Sequence, residues 1–216
     1  MMKRIALFAL PLAIAFSATP AAATTWTLDD GHSTVGFSVK HMMVSDTKGA
    51  FDTYKGTIEV DDKDVTKSTV NVEIDTASIN TKNKKRDEHL RSPEFFDAAK
   101  FPKITFKSTK VAKAKGGGLA VTGDLTMHGV TKPVTLAVAP ISAPMKDPWG
   151  GLHTGTTATA KINREDFGLT WNSAVEGGGV VVGKEVTIEL QIELVPPPAA
   201  APAAAPAAAP AAAPKK

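Results

Sequence analysis

The stretch KEVTIELQIEL, residues 184–194, alternates without interruption. Val186, Ile188, Leu190, Ile192 and Leu194 are apolar, and Glu185, Thr187, Glu189, Gln191 and Glu193 between them are polar. Period two describes a strand with one buried and one wet face, whereas an amphipathic helix repeats every three or four residues. The same period recurs between Trp26 and Val195. It places Val35, Phe37 and Val39 on one face, then Val70, Val72 and Ile74, then Ile104 and Phe106. It continues through Leu119, Val121, Leu125 and Met127, and through Val134, Leu136 and Val138.

One apolar and one polar face per strand is the mark of antiparallel sheet, because parallel sheets are covered on both sides. Turn-forming residues separate the runs: Asp61-Asp62, Gly116-Gly117-Gly118, His128-Gly129, Asp147-Pro148 and Gly177-Gly178-Gly179. The step Met127-His128-Gly129-Val130 predicts a tight hairpin. About eight strands joined mostly by hairpins predict an all-β fold, either an up-and-down barrel or a sandwich. A sandwich fills its interior with side chains, whereas an eight-stranded barrel has room for one small ligand.

The stretch ASINTKNKKRDEHLR breaks the alternation and predicts a helix. Ser92-Pro93-Glu94 follows with a cap residue, a proline and an acid, the signature of a second helical start that Phe101-Pro102 ends. Asp87, Glu88 and His89 invite a metal reading. Consecutive helical side chains point ~100° apart, however, so the three do not converge on one ion. Asp87 and Arg91, four residues apart, predict a surface ion pair instead.

The ends differ from the middle. Residues 1–23 combine Lys3 and Arg4, an apolar run from Ile5 to Phe16, and Ala21-Ala22-Ala23. This predicts a cleaved signal peptide rather than a transmembrane anchor, which needs ~20 apolar residues. The expected location is the periplasm. Residues 196–216 carry a repeated AAAP step, which predicts a disordered, extended tail beyond a domain at 24–195. Cysteine is absent, so disulfides, thiolate catalysis and a lipid-modified cysteine are excluded. Without Lys3, Arg4, Lys215 and Lys216, the 25 basic residues no longer outnumber the 22 acids. The basic stripe of a nucleic-acid binder is not expected.

The sequence contains no nucleophile elbow, P-loop or paired-carboxylate motif, so an enzyme is not expected. The histidines, His32, His41, His89, His128 and His153, are scattered through strands and turns. His41 continues the face of Val35, Phe37 and Val39 and is expected to point inward, either as a satisfied core histidine or as a contact for a ligand's head.

Four stretches carry a resemblance to a known family: STVGFSVKHMMVSDTKGAFDTYKGTI; RDEHLRSPEFFDAAKFPKITFKS; GDLTMHGVTKPVTL; and INREDFGL with the final KEVTIELQIEL. They occur in the family's order over nearly all of residues 24–195, and the chain resembles the YceI-like family of exported lipid-binding proteins. The resemblance implies an extended eight-stranded antiparallel β-barrel of lipocalin-like shape with an elongated apolar cavity. It implies a carrier for a polyisoprenoid or other long-chain lipid, with an isoprenoid quinone or prenyl phosphate as ligand. On such a barrel residues 86–102 are expected to fold over one end as a lid, with Phe95, Phe96 and Phe101 turned inward. From the residues themselves, no cofactor or metal is expected. The alternative is a stress-related interaction protein whose cavity is incidental. The expected ligand-binding residues are Phe37, Val39, Met43, Phe96, Ile104, Phe106 and Leu125 on the wall, with His41, Arg86 and Arg91 at the head group. The sequence leaves open whether the domain forms a homodimer.

Overall fold

A computed structural model describes residues 23–176 and 178–198. The expected signal peptide, except for its last residue Ala23, and all but the first residues of the expected tail lie outside the described residues. The strands are β1 (Ala23–Leu28), β2 (Thr34–His41), β3 (Ser45–Phe51), β4 (Tyr54–Asp61), β5 (Thr69–Asp75) and β6 (Ile79–Asn80). After helix α1 (Lys84–Arg91) come β7 (Lys103–Lys113), β8 (Leu119–Met127), β9 (Val130–Val138), β10 (Met145–Lys146), β11 (Leu152–Asn163) and β12 (Val182–Val195).

Three pairs of these strands are halves of longer strands. β1 and β2 both run antiparallel to β12, with Leu28 opposite Leu194 and Thr34 opposite Gln191, so residues 29–33 only interrupt one barrel strand. β3 pairs with β2 and β4 with β1, while β5 pairs with β4 and β6 with β3, so the next two barrel strands are broken in the same way. Eight barrel strands result, each paired with the next in the chain, and β12 closes the ring on β1–β2. The barrel is an antiparallel meander. Its thinnest seam is between β9 and β11, whose register partners are Val138 with Ala158 and Ala137 with Thr159.

The alternation places its apolar residues inside. Val35, Ile74, Ile104, Phe106, Val121, Leu125, Met127 and Val134 form one buried cluster, with Phe37, Val72, Ile188 and Leu190 packed against it. The β8–β9 hairpin turns on His128 and Gly129, both with positive φ (52° and 75°), and Met127 faces Val130 across it. That backbone twist matches the twist of the flanking strands. None of the described helices is long and apolar enough to cross a membrane.

The connection between β5 and β7 departs from the sequence reading. The helix is confined to α1, capped by the Asn83 side chain, which accepts from the Arg86 N–H at 3.1 Å. Residues 92–101 form successive turns rather than a second helix, because Asp97 adopts a left-handed conformation (φ 45°). Asp87 is buried, not solvated, and its Oδ1 accepts from both the N–H (2.8 Å) and the hydroxyl (2.6 Å) of Thr81. Arg91 makes no ion pair with it. Its guanidinium instead donates to the carbonyls of Ala77 (2.6 Å) and Ile79 (2.9 Å), tying the helix to the broken strand beneath it.

Candidate functional site

The inward side chains do not fill the barrel. Toward the end formed by the β7–β8 turn is a cavity of about 180 Å³, bordered by residues such as Ile58, Val70, Val121, Val134, Leu190 and Leu194. Toward the end covered by α1 is a second, of about 140 Å³, bordered by residues such as Phe37, Val39, Phe96, Ile104, Val186 and Arg164. The two meet at Val35, Ile74, Leu125 and Ile188, which border both. Together the compartments reach the lower end of the ~300–1,000 Å³ typical of small-molecule sites. Along β12 the lining runs from Val182 to Leu194. At ~3.3 Å per residue that is about 40 Å of strand. The space is long and narrow, with a waist, and suits a flexible chain rather than a bulky ring system.

The compartment under α1, the upper one, has an aromatic wall, and the compartment toward the β7–β8 turn is the lower one. Phe37 stands 5.9 Å from Phe51, centroid to centroid, and Phe51 meets Phe96 edge-on at the same distance. Phe95 and Phe96, delivered by the turns after α1, border the compartment from above together with Leu90. Phe101 lies elsewhere, 4.7 Å from the His128 ring at the tip of the β8–β9 hairpin. Arg86 holds the Thr81 hydroxyl (2.7 Å) and carbonyl (2.8 Å), so both arginines of the helix fasten the lid through backbone or neighbouring oxygens.

Sequence reasoning assigned no role to Arg164, the one ionised residue among those bordering either compartment. It sits at the end of β11 and is only 4% exposed. Its guanidinium donates to the carbonyls of Gly183 (2.9 Å), Leu169 and Val182 (3.4 Å). Among the described residues it forms no ion pair with a carboxylate. Burial pushes its pKa down, with Glu165 opposing weakly, but a guanidinium remains charged. Three of its five N–H donors are engaged, and the lining of the compartment is apolar throughout, so Arg164 borders that space through its carbon stem. A buried cation with carbonyl partners alone favours an anionic or strongly polar group nearby, through its charge rather than through an open donor. The motif INREDFGL contained this residue, but no local pattern marks an arginine as inward-facing.

Of the residues singled out from sequence, Phe37, Val39, Phe96, Ile104, Phe106 and Leu125 border the cavity. His41, Met43, Arg86 and Arg91 do not. Strand β2 ends at His41 because the next two residues, Met42 and Met43, both have positive φ (49° and 62°) and turn the chain back. The Val44 N–H closes the turn on the His41 carbonyl (3.1 Å). His41 is therefore half-buried at a strand end, and Met43 is 62% exposed at the hairpin tip. Nothing in the local sequence announced this turn, since it uses neither Gly nor Asn. Arg86 and Arg91 are occupied in holding α1 down.

Comparison with known proteins places this architecture among relatives. A family profile described as a YceI-like domain matches residues 26–194. A UPF0312 protein of Vibrio parahaemolyticus is 41% identical over 186 residues, covering 85% of this chain and 96% of its own. The crystal structure of a Campylobacter jejuni YceI protein superposes with a TM-score of 0.62 at 32% identity, covering 78% of this chain and 95% of its own. A domain from Saccharophagus degradans, described as polyisoprenoid binding, superposes with a TM-score of 0.57 at 18% identity, covering 80% of this chain and 98% of its own.

Proposed function

The chain belongs to the YceI-like family, and on that premise we propose that it is a periplasmic binding protein that carries a polyisoprenoid or similar long-chain amphiphile. The observation that supports this reading is the divided, almost wholly apolar cavity along the barrel axis. Each methylene moved from water into such a space contributes ~0.8 kcal/mol, so a long chain gains affinity with little need for directional contacts. The name of the Saccharophagus domain agrees with this ligand class, although its likeness to this chain is one of fold.

The ligand's tail occupies the lower compartment and its head the upper one, on the side of the buried Arg164 charge. Quinone carbonyls, a phosphate or a carboxylate are the groups that charge favours. The barrel binds its ligand and does not transform it. The test is solvent extraction of the purified protein followed by mass spectrometry, with titration of a long-chain quinone into the stripped protein. One equivalent of long-chain lipid, or saturable uptake of the quinone, supports the proposal. Ile188→Trp, which fills the waist, must then abolish uptake of the long chain. A protein that is empty on isolation and takes up none defeats it.

A further inference from the structure

The outer wall of the barrel carries a second constellation, independent of the lipid reading. Ile192 and Leu194 border the cavity, so Glu193 between them faces outward. His153 on β11 reaches it, with Nδ1 2.7 Å from Glu193 Oε1. The interruption between β1 and β2 brings Asp29 and His32 to the same place. His32 Nδ1 lies 3.0 Å from Asp29 Oδ2 and 4.0 Å from Glu193 Oε1. The ligating atoms of Asp29, His153 and Glu193 all fall within 4.8 Å of one another.

Backbone bonds pin these segments together. The Asp29 N–H donates to the Glu193 carbonyl (3.0 Å), and the Glu193 N–H donates to the Ser33 hydroxyl (2.9 Å). The Asp29 carboxylate is oriented in turn, because its Oδ1 accepts from the Gly31 N–H (2.9 Å) and leaves Oδ2 toward the cluster. Behind His153, its Nε2 lies 3.2 Å from Asp147 Oδ2. Asp147 is itself locked, since its Oδ1 accepts from the N–H groups of Trp149 (2.8 Å) and Gly151 (2.7 Å). A carboxylate on the far nitrogen of a histidine whose near nitrogen faces other donors is the outer-shell arrangement that fixes the tautomer of a metal-ligating imidazole.

We infer that Asp29, Glu193 and the Nδ1 atoms of His153 and His32 form a site for a divalent transition-metal ion, with zinc the best match. Two imidazoles and two carboxylates suit zinc and its neighbours, whereas magnesium and calcium require an all-oxygen shell. Bonds of ~2.0–2.2 Å place the corners of a tetrahedron about 3.4 Å apart. The donor atoms of Asp29, His153 and Glu193 lie within 4.8 Å of one another, and His32 Nδ1 lies 3.0 Å from Asp29 and 4.0 Å from Glu193, so the side chains must shift to complete the shell. The bound ion cross-links the β1–β2 interruption to β11 and β12, and through His153 to the Asp147 loop.

The experiment uses the untagged full chain, stripped with a chelator and titrated calorimetrically with Zn²⁺ and, separately, Mg²⁺. The expected result is one equivalent of zinc at micromolar or tighter Kd and no response to magnesium. His153→Gln and Glu193→Gln should each weaken zinc at least tenfold. Asp147→Asn should weaken it roughly ten- to a hundredfold, as expected for an outer-shell partner. His89→Gln, distant from the cluster, should leave zinc binding unchanged. If a cluster variant does not fold, histidine-ring NMR of the wild-type chain decides: zinc must shift two of the five histidines together, saturating at one equivalent. No stoichiometric uptake, binding that survives both cluster variants, or a gradual shift of all histidines overturns the inference.

Discussion

The ring of Phe37 covers Gly49, its partner across β2 and β3, so closely that a methyl group on Gly49 would stand 2.5 Å from it. The missing side chain is what lets an aromatic ring lie flat against the wall of the upper compartment. Gly49→Ala is expected to push Phe37 inward, costing ~1–3 kcal/mol as an overpacked core does. It should also narrow the upper compartment and reduce lipid uptake. Urea unfolding and quinone titration check both effects. A variant with unchanged stability and uptake would show that the ring swings away freely.

The lid depends on Asp87. It is buried and receives two hydrogen bonds from Thr81, at 2.8 and 2.6 Å. Asp87→Ala strands both donors, and unsatisfied buried groups cost ~1–3 kcal/mol each. The variant should therefore unfold at a clearly lower denaturant concentration than the wild-type chain. Asp87→Asn, which keeps an acceptor oxygen, should recover part of the loss. Equal losses in both variants would assign the effect to charge rather than to the hydrogen bonds.

Arg164 makes a prediction about ligand choice that needs no substitution. A prenyl phosphate and the prenyl alcohol of equal chain length bury the same tail, and only the phosphate offers a charged acceptor. Hydrogen bonds to charged groups contribute ~1.5–3 kcal/mol, or roughly ten- to a hundredfold in Kd. Competition titration should show that preference for the phosphate. Equal affinities would leave Arg164 as a strut that joins Leu169 to Val182 and Gly183.

A pH effect is expected on the outer face, where Glu73 links three strands. Lys55 on β4 (3.2 Å) and Lys103 on β7 (3.3 Å) both reach its Oε1. Hydrogen bonds from Lys55 first and Lys103 second hold its carboxyl below the ordinary value of 4.5. A group whose pKa is lower folded than unfolded stabilises the fold above the unfolded value and ceases to do so as pH falls through the folded one. The wild-type chain should thus melt slightly higher than Glu73→Gln at neutral pH, and the gap should close in acid. A gap that persists at low pH would trace to packing instead.

Much of the barrel was legible because strand alternation is a local property. Val186, Ile188, Leu190, Ile192 and Leu194 were placed on one face from spacing alone, and every one of them borders the cavity. The hairpin at His128-Gly129 was equally legible, since a two-residue turn carries its backbone requirement in its own residues. The cavity wall at Phe37, Ile104, Phe106 and Leu125 follows from the same register.

The polar side chains were not legible in this way. Asp87 read as a solvated helix face, yet the broken strand below α1 buries it against Thr81. Met42-Met43 carries no turn signal, and it cut β2 short at His41. Arg164 became the charge beside the cavity because the carbonyls of Leu169, Val182 and Gly183 fold over it. His153 and Glu193 are 40 residues apart in the chain and 2.7 Å apart in space. The period-two pattern by itself determined which face of each strand is buried, because that depends only on neighbours in sequence. Closing the sheet into a ring decided which polar groups meet, because their separation is set by strand order and register across the whole barrel.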